Sequence, residues 1–293
     1  MPESGYIGRF APTPSGPLHF GSIIAALGSY LQARQKQGQW LVRIEDIDQP
    51  RIIPGADKII LDQLESLGLL WDGEIVYQTR RIPLYQSALE KLEALDLTFP
   101  CACTRKQTAN KPYPGTCRNG VGHGLIGRSI RIRTEDHEIA VNDLLQGYYS
   151  QSLESDIGDF VIKRTDGLFA YHLAVIVDDA EQNINEIVRG ADLLDSTPRQ
   201  IYLQKLLGLS VPGYLHLPVA INEDGSKVSK QSKAEAIDTN QPCHVLFKAL
   251  EFLGQCPPRE AFDSDLESLL NWSIQNWDVN SLPKQKEIKT NNY

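Results

Sequence analysis

The first fifty residues combine short apolar segments with one longer helical pattern. Residues 6–10 are apolar enough to predict a strand, which ends in the Pro-, Gly- and Ser-rich turn 12–17. Apolar residues then recur at helical spacing until Gly38, and within residues 40–47 they alternate with polar ones. This order predicts a strand–helix–strand unit with a glycine-containing entry to the helix, the start of a parallel α/β sheet.

Two amphipathic helices are predicted next, at residues 57–68 and 85–95. The α/β pattern breaks at Cys101. Up to about residue 155 the chain carries glycines, a cluster of cysteines and short β-like segments such as 129–133. This composition predicts an insertion into the α/β domain.

The α/β pattern returns after the insertion. The apolar run 173–177 is typical of a strand buried on both faces, and residues 184–189 predict another strand. A helix is predicted to begin at Ser196-Thr197-Pro198, a cap residue followed by a proline, and to end at Gly208. Residues 214–221 predict a last strand, and two helical stretches follow, at 244–253 and 263–275.

Composition narrows the function without fixing it. The chain has 293 residues and a net charge of −8, which argues against a nucleic-acid partner. However, residues 101–134 contain no Asp or Glu and seven Lys or Arg, so this segment is either an RNA-contacting face or an ordinary solvated loop. The first thirty residues hold no secretory signal, and no run approaches the ~18 apolar residues of a membrane span. We therefore expect a cytoplasmic protein without a membrane partner, and a monomer.

Three of the five cysteines, Cys101, Cys103 and Cys117, lie close together in sequence. Their odd total and their spacing favour a metal site over a disulfide framework, with free thiols as the alternative. Three thiolates need a fourth ligand for a closed tetrahedral zinc site, and coordination preference alone would nominate His123. The other two, Cys243 and Cys256, are expected to be packing residues.

The turn before the first predicted helix carries the sequence Ala11-Pro12-Thr13-Pro14-Ser15-Gly16-Pro17-Leu18-His19-Phe20-Gly21-Ser22. A loop that ends a strand and opens a helix directs backbone N–H groups and the positive helix end at one point, which suits a phosphate. Gly16 and Gly21 would let a nucleotide approach the backbone closely. His19 could donate a hydrogen bond to the α-phosphate, and in isolation it would equally suit a surface or capping role.

A second polar loop, far downstream, reads Lys227-Val228-Ser229-Lys230-Gln231. Lysines in a mobile loop can close over a triphosphate and neutralise charge as pyrophosphate leaves. Lysines in a polar loop are otherwise simply solvated.

Together and in this order, the two motifs resemble the HIGH and KMSKS signatures of class I aminoacyl-tRNA synthetases. Residues 9–16, 43–48 and 189–198 resemble the glutamyl branch of that class, and the similarity extends from residue 5 to about 240. Three details resemble one subgroup, the glutamyl-Q tRNA(Asp) synthetases. These are His-Phe-Gly-Ser in place of HIGH, the Cys-x-Cys…Tyr-x3-Cys cluster and the short C-terminal segment.

The resemblance implies an α/β, Rossmann-type catalytic domain in two halves, residues 1–97 and 161–240. It implies a zinc-bearing, acceptor-binding-like insertion at 98–160 and a short helical tail at 241–293, with no anticodon-binding domain. The implied activity is ATP-dependent activation of L-glutamate without tRNA. Glutamate is then transferred to the queuosine base in the anticodon loop of tRNA(Asp).

The same resemblance implies the site residues. His19, Lys227 and Lys230 are expected to be catalytic. ATP, with Mg²⁺, is expected at Pro12, Gly16, His19, Gly21, Ser22, Lys227 and Lys230. Glutamate is expected at Arg9, Phe10, Ala11, Pro12, Thr13, Glu45, Tyr171 and Arg189. One structural Zn²⁺ is expected at Cys101, Cys103, Tyr113 and Cys117.

Chemically, this glutamate pocket is reasonable. Arg9 and Arg189 are suitable bidentate partners for carboxylates, Glu45 suits the ammonium group, and Tyr171 offers a hydroxyl. The residues do not decide which arginine takes the side-chain carboxylate. Ser22 stands where HIGH has its second histidine, so one phosphate or ribose contact should be weaker or absent.

Two other functions stay open at this point. A truncated synthetase could charge the 3′ end of a tRNA instead of an anticodon base. A catalytically inactive relative could bind tRNA or an amino acid as a regulator. The presence of His19, both loop lysines and the whole implied glutamate pocket in one chain argues against the second alternative.

Overall fold

A computed structural model describes residues 5–108, 112–222, 225, 237–260 and 265–290. The strands are β1 (Ile7–Phe10), β2 (Gln39–Ile44), β3 (Val76–Tyr77), β4 (Thr98–Cys101), β5 (Ser129–Ile132), β6 (Glu138–Asp143), β7 (Gly147–Ser152), β8 (Val161–Lys163), β9 (Glu186–Gly190), β10 (Gly213–Leu217), β11 (Val219–Ile221) and β12 (Glu287–Lys289). The helices are α1 (Phe20–Gln35), α2 (Ala56–Ser66), α3 (Ile82–Ala94), α4 (Arg105–Thr108), α5 (Leu153–Asp156), α6 (Tyr171–Glu181), α7 (Thr197–Leu207), α8 (Pro242–Phe252) and α9 (Leu266–Asn276).

Five parallel strands form the centre of the fold. β1, β2 and β3 pair in that order, and β9 pairs with β10. The N–H of Asn185 donates to the carbonyl of Ile7 at 3.0 Å, which places β9 beside β1. The chain therefore winds outward from β1 in both directions. In such sheets the crevice between the two central strands, at their carboxyl ends, is the usual ligand site.

Smaller sheets surround this centre. β4, β5 and β8 form an antiparallel sheet, β6 and β7 form a hairpin, and β11 pairs in parallel with β12. The predicted insertion ends at residue 160, and β8, just beyond that boundary, completes its sheet. The division of the chain into domains stays a prediction.

Most predicted elements are confirmed. The strands at 6–10, 40–47, 129–133 and 184–189 correspond to β1, β2, β5 and β9, and five of the six predicted helices correspond to α1, α2, α3, α8 and α9. The helix α7 begins at Thr197 with Pro198 in its first turn. It ends at Gly208, whose φ of +67° is a left-handed conformation that favours glycine.

The strand prediction for residues 173–177 is wrong, because these residues lie in α6. Every residue from Leu173 to Asp179 is buried. A helix surrounded by protein on all sides gives the same continuous apolar run as a strand buried on both faces, so periodicity cannot separate the two.

The last predicted strand, 214–221, is in fact two strands separated by Pro218. It is not the last strand of the chain, since β12 pairs with β11: the N–H of Val219 donates to Lys286 O and that of Thr290 to Ile221 O, both at 2.9 Å. The tail also contacts α1, where the indole N–H of Trp277 donates to Gln32 Oε1 at 2.7 Å. In the described ranges, no helix is both long enough and apolar enough to cross a bilayer.

Candidate active site and metal site

A cavity of about 650 Å³ opens at the carboxyl ends of β1, β2, β9 and β10. Every residue predicted to bind glutamate lines it: Arg9, Phe10, Ala11, Pro12, Thr13, Glu45, Tyr171 and Arg189. Three further residues predicted to bind ATP, His19, Gly21 and Ser22, line it as well. Gly16 is not among the lining residues, and Lys227 and Lys230 lie outside the described residues. The structure thus brings two predicted binding sets, far apart in sequence, to one cavity.

His19 both caps α1 and faces this cavity. Its Nδ1 accepts a hydrogen bond from the N–H of Ser22 at 3.3 Å, and its Nε2 lies 3.1 Å from the Ser22 hydroxyl oxygen. Since Nδ1 accepts, a neutral imidazole carries its proton on Nε2. The loop before the helix turns at Gly16, whose φ of +134° is disfavoured for residues with a side chain.

A buried ion network lies behind one wall of the cavity and includes the lining residues Arg9 and Glu45. Arg9 Nε lies 3.1 Å from Asp179 Oδ1, and Arg43 Nη1 lies 2.8 Å from the same oxygen. The other terminal nitrogen of Arg43, Nη2, lies 3.3 Å from Glu45 Oε1. Burial alone would raise the pKa of Asp179, but Arg9 and Arg43 outweigh it and lower that pKa below its usual value. Asp179 is therefore an anion that holds both arginines in place.

Glu45 lies at the cavity end of this network. Burial raises the pKa of its carboxyl, and the charges of Arg43 and Arg9 only partly oppose the rise. Because Arg43 contacts Oε1, it orients the carboxylate within the cavity wall. A cation bound beside Glu45 would favour its ionised form and lower its pKa again.

Arg189, on the opposite wall, is surrounded by neutral groups. It is 5% exposed, and it donates to His216 Nε2 at 3.0 Å, Thr197 Oγ1 at 2.9 Å and Gln200 Oε1 at 2.8 Å. Among the described residues it forms no ion pair. A buried guanidinium without a carboxylate partner is costly unless a ligand supplies one, so this group is suited to bind an anion.

Sequence reasoning missed several members of this site. Arg43 was identified as a polar strand position and as the first residue of the motif 43–48, but it was given no role in the site, although an Arg and a Glu two residues apart share a face and could form a pair. Asp178 and Asp179 were hidden by the wrong strand prediction, which ended just before them. Arg51 and Asp192 also line the cavity. No pattern in the sequence marks them as lining residues.

The three clustered cysteines are brought together at the end of β4. The Sγ atoms of Cys101, Cys103 and Cys117 all lie within 4.8 Å of one another, and those of Cys103 and Cys117 are 3.7 Å apart. The hydroxyl of Tyr113 lies 3.4 Å from Cys101 Sγ and 3.8 Å from Cys103 Sγ. Tetrahedral zinc with Zn–S bonds of ~2.3 Å would place its ligand atoms about 3.5–3.8 Å apart, and the separations of Cys103 from Cys117 and of Tyr113 from Cys101 and Cys103 are close to this range. His123 is exposed and is not part of the cluster.

The surroundings of Cys101 favour its thiolate, whereas burial raises the pKa of Cys103. Burial alone would raise the pKa of the Cys101 thiol, but hydrogen bonds with Tyr113 and Arg131 outweigh it and lower the pKa to about 7. Arg131 Nε lies 3.2 Å from Cys101 Sγ, and its guanidinium also stacks 3.9 Å from the Tyr113 ring centre. Burial and the hydrogen bond to Cys101 raise the pKa of Tyr113, so its hydroxyl keeps its proton unless a cation binds there.

A family model described as "tRNA synthetases class I (E and Q), catalytic domain" matches residues 7–111 and 126–260. Similar proteins called glutamyl-Q tRNA(Asp) synthetase occur in Dechloromonas aromatica and Chromobacterium violaceum. The first is 48% identical over 98% of each chain, and the second is 50% identical over 97% of each chain.

A crystal structure of a glutamate tRNA ligase from Elizabethkingia meningosepticum, in complex with its amino acid, shares the fold. Its TM-score is 0.80 at 23% identity, and the match covers 96% of this chain and 66% of that one. The glutamate-tRNA synthetase of Elizabethkingia anophelis matches with a TM-score of 0.81, also at 23% identity, over 98% of this chain and 68% of that one. Both structures therefore extend well beyond the part that this chain matches.

Proposed function

The chain belongs to the class I tRNA synthetases for glutamate and glutamine, as a ligase of the glutamyl-Q tRNA(Asp) synthetase type, and on that premise we propose that it activates L-glutamate with ATP in the absence of tRNA and transfers it to queuosine in tRNA(Asp). The proposal rests on one cavity, at the carboxyl ends of the central strands, that both predicted binding sets share. It is lined both by the turn that opens α1 and by a set of side chains complementary to glutamate.

The charges of the cavity match those of the amino acid. Free glutamate carries two carboxylates and one ammonium group. Arg189 offers a buried guanidinium without an acidic partner in the described part of the chain, and Glu45 offers a buried carboxylate. Tyr171, whose hydroxyl lies 3.4 Å from Arg189 Nη1, adds a polar contact beside that guanidinium. Arg189 therefore receives a carboxylate, and Glu45 receives the ammonium group.

Activation needs no side-chain nucleophile. An oxygen of the glutamate α-carboxylate attacks the α-phosphorus of ATP bound with Mg²⁺, and pyrophosphate leaves. His19 presents its Nε2–H at the N-terminus of α1, where N–H groups and the helix dipole also stabilise negative charge. The rate gain comes from positioning and from donors that are already oriented. Lys227 and Lys230 would neutralise the departing pyrophosphate.

The second step is acyl transfer. A hydroxyl oxygen on the cyclopentene ring of queuosine attacks the carbonyl carbon of glutamyl-adenylate, its proton is lost, and AMP leaves. The nucleic acid would approach along the segment 101–134, which carries seven Lys or Arg and no acidic residue.

Zinc would be held by Cys101, Cys103, Cys117 and Tyr113. It would supply structure rather than chemistry, because these residues do not line the cavity that contains His19. With metal bound, they would join the end of β4 to the loop that follows it.

The test of activation is ATP–pyrophosphate exchange with glutamate and no tRNA. We expect robust exchange that is lost in His19→Ala. Exchange that appears only after tRNA is added would contradict tRNA-independent activation. An absence of exchange under both conditions would instead support a binding protein.

The test of transfer uses labelled glutamate and queuosine-containing tRNA(Asp). After nuclease digestion we expect the label in the anticodon-loop fragment. Label at the 3′ terminus would replace this proposal with a truncated synthetase that charges tRNA. Queuosine-free tRNA(Asp) is the matched control and should stay unlabelled.

A further inference from the structure

A buried histidine behind the cavity has no part in the steps above. His216, on β10, has no exposed surface. Its Nε2 lies 3.0 Å from Nε of Arg189, and its Nδ1 lies 2.6 Å from Oδ2 of Asp143, at the end of β6. Neither His216 nor Asp143 lines the cavity. The three side chains form a row that runs from the interior to the cavity wall.

Asp143 is surrounded by donors. Besides Nδ1 of His216, its oxygens accept from the backbone N–H groups of Leu145 at 3.0 Å, Gln146 at 2.8 Å and His216 at 3.1 Å. Burial alone would raise the pKa of Asp143, but these contacts outweigh it, and the pKa lies below its usual value. An ionised carboxylate cannot donate, so the bond to His216 requires the proton to be on Nδ1.

The proton on Nδ1 decides what the other nitrogen can do. Burial lowers the pKa of His216, and this effect outweighs the contact with Asp143, so the ring is neutral. A neutral ring with its proton on Nδ1 has a lone pair on Nε2, which accepts from the Nε–H of Arg189. With the opposite tautomer two N–H groups would face each other at that contact.

Arg189 is thereby fixed along two edges of its planar fork. Nε donates to His216, and Nη2 donates to Thr197 and Gln200. Nη1 is left beside the Tyr171 hydroxyl, 3.4 Å away, and Tyr171 itself lines the cavity. The guanidinium can therefore present Nη1 to a ligand at a defined angle, with little rotamer freedom to lose.

We infer that His216 and Asp143 are positioning residues for glutamate: Asp143 fixes the tautomer of His216, and His216 orients Arg189 toward a carboxylate of the amino acid. The inference rests on the proposed function, because it takes the ligand of Arg189 to be glutamate. Neither residue touches the substrate, and both act through Arg189. Their removal should therefore change glutamate affinity and leave ATP affinity unchanged.

Two replacements of the histidine separate positioning from packing. The side-chain oxygen of His216→Gln can reach the place of Nε2 and accept from Arg189, whereas His216→Asn reaches only the place of Nδ1. In pyrophosphate exchange we expect the KM for glutamate to rise about tenfold or more in His216→Asn and in Asp143→Asn, and clearly less in His216→Gln. The KM for ATP should change by less than about twofold, because both residues act through Arg189, which is not among the residues predicted to bind ATP.

Asp159→Asn is the matched control. Asp159 is 3% exposed and accepts from Thr134 N–H at 2.8 Å, but it does not line the cavity. This variant should lose thermal stability without a change in either KM. Equal glutamate KM values in His216→Asn and His216→Gln, or parallel changes for glutamate and ATP, would overturn the inference.

A second readout does not depend on activity. Nitrogen-15 NMR of the His216 ring should show a protonated Nδ1 and an unprotonated Nε2, and Asp143→Asn, whose amide can donate to Nδ1, should move the proton to Nε2. A wild-type ring protonated on Nε2 would refute the inference even in an active enzyme. If instead wild-type protein shows the expected tautomer and yet no glutamate-dependent exchange, the row of hydrogen bonds stands and the proposed function fails.

Discussion

Arg9 and Arg189 line the same cavity, yet Asp179 balances the charge of Arg9 while Arg189 hydrogen-bonds only to neutral groups in the described part of the chain. The two arginines are therefore not equivalent. Arg9 has a carboxylate partner in Asp179, whereas Arg189 has none in the described part of the chain, so we expect Arg189 to receive a carboxylate of the ligand. Sequence reasoning had left open which arginine receives which carboxylate. The structure favours Arg189 as the main source of carboxylate affinity.

The first prediction concerns Arg189→Lys. Lysine keeps the charge but cannot reproduce the planar fork that contacts His216, Thr197 and Gln200 at the same time. We expect the KM for glutamate to rise by about tenfold or more, with the KM for ATP unchanged, in pyrophosphate exchange. An unchanged glutamate KM would show that Arg189 does not bind the amino acid.

The second prediction concerns His19→Ala. Loss of one oriented donor to the α-phosphate should lower kcat for exchange by roughly 10²–10³-fold. The dissociation constant of glutamate, measured by calorimetry, should change little, since the contacts of His19 described here are with Ser22 at the start of α1. Ser22→Ala is a useful comparison. It removes the hydroxyl beside Nε2 of His19 but keeps the backbone N–H that donates to Nδ1 of His19. A modest loss in His19→Ala, similar to that in Ser22→Ala, would remove His19 from catalysis.

The third prediction concerns pH. Only ionised Glu45 attracts the ammonium group of glutamate, and burial raises the pKa of Glu45 in the free protein. A bound ammonium group lowers that pKa, so protons compete with the amino acid. The KM for glutamate should therefore rise as pH falls through the raised pKa of Glu45, starting above the range of an ordinary glutamate side chain.

The matched variant for this experiment is Glu45→Gln. It should bind glutamate weakly at every pH, and its KM should keep only the pH dependence that comes from the substrate's own carboxyl groups. The groups that face Glu45 are Arg43, Arg9, Asp178 and Asp179, and all four stay in the variant. Parallel profiles for the wild type and Glu45→Gln would exclude Glu45 as the ammonium partner.

The fourth prediction concerns metal content. Purified protein should contain about one zinc per chain, and Cys117→Ser should lose most of it, because three thiolates and a phenol form the proposed ligand set. Chelation should lower the Tm. Cys256→Ser is the control and should retain zinc, because this cysteine lies outside the cluster; the prediction that it packs in the interior is wrong, since it is exposed. Zinc retained in Cys117→Ser would contradict this ligand set, whereas loss in His123→Ala would restore the histidine as a ligand.

The fifth prediction concerns β12. Ile288 packs against the main core from this strand, whereas its neighbour Lys289 is exposed. Ile288→Asn should destabilise the protein by on the order of 1–2 kcal/mol and raise the KM for ATP, because β11 shortly precedes Lys227 and Lys230 in the sequence. Lys289→Asn should do neither. Equal behaviour of the two variants would show that the packing of β12 has no effect on ATP binding.

Many helices, strands and turns of the fold could be predicted from short stretches of the sequence. The turn 12–17, the helix that follows it and the C-terminal cap of α7 at Gly208 depend on neighbouring residues, so they could be predicted from short windows. The predicted cap at Ser196 is wrong, because its side chain makes no capping hydrogen bond. Residues 173–177 could not, because a fully buried helix and a fully buried strand have the same apolar pattern. The two parts of the split strand 214–221 depend on different partners, β9 and β12, which no local pattern reveals.

The candidate site shows the same limit. Motif resemblance nominated eleven of the residues that line the cavity, although it did not nominate Arg51 or Asp192. It did not nominate Arg43, Asp179, His216 or Asp143, which act on the lining residues from behind. Their roles depend on contacts between segments that are far apart in the sequence. Arg43 and Asp179 are more than a hundred residues apart, and Asp143 and His216 meet only because β6 and β10 are brought together by folding. The cysteine cluster was found because close spacing in sequence already marked it.

The pairing of β11 with β12 has a consequence for the nascent chain on the ribosome. β11 follows β10 closely, but its hydrogen-bonding partner is translated only after α8 and α9. Until then the backbone N–H and C=O groups of β11 have no strand beside them, and an open strand edge is a surface on which other chains can add. The β11–β12 sheet therefore has to wait for the tail, whereas the five central strands all precede the tail in the chain and can pair earlier.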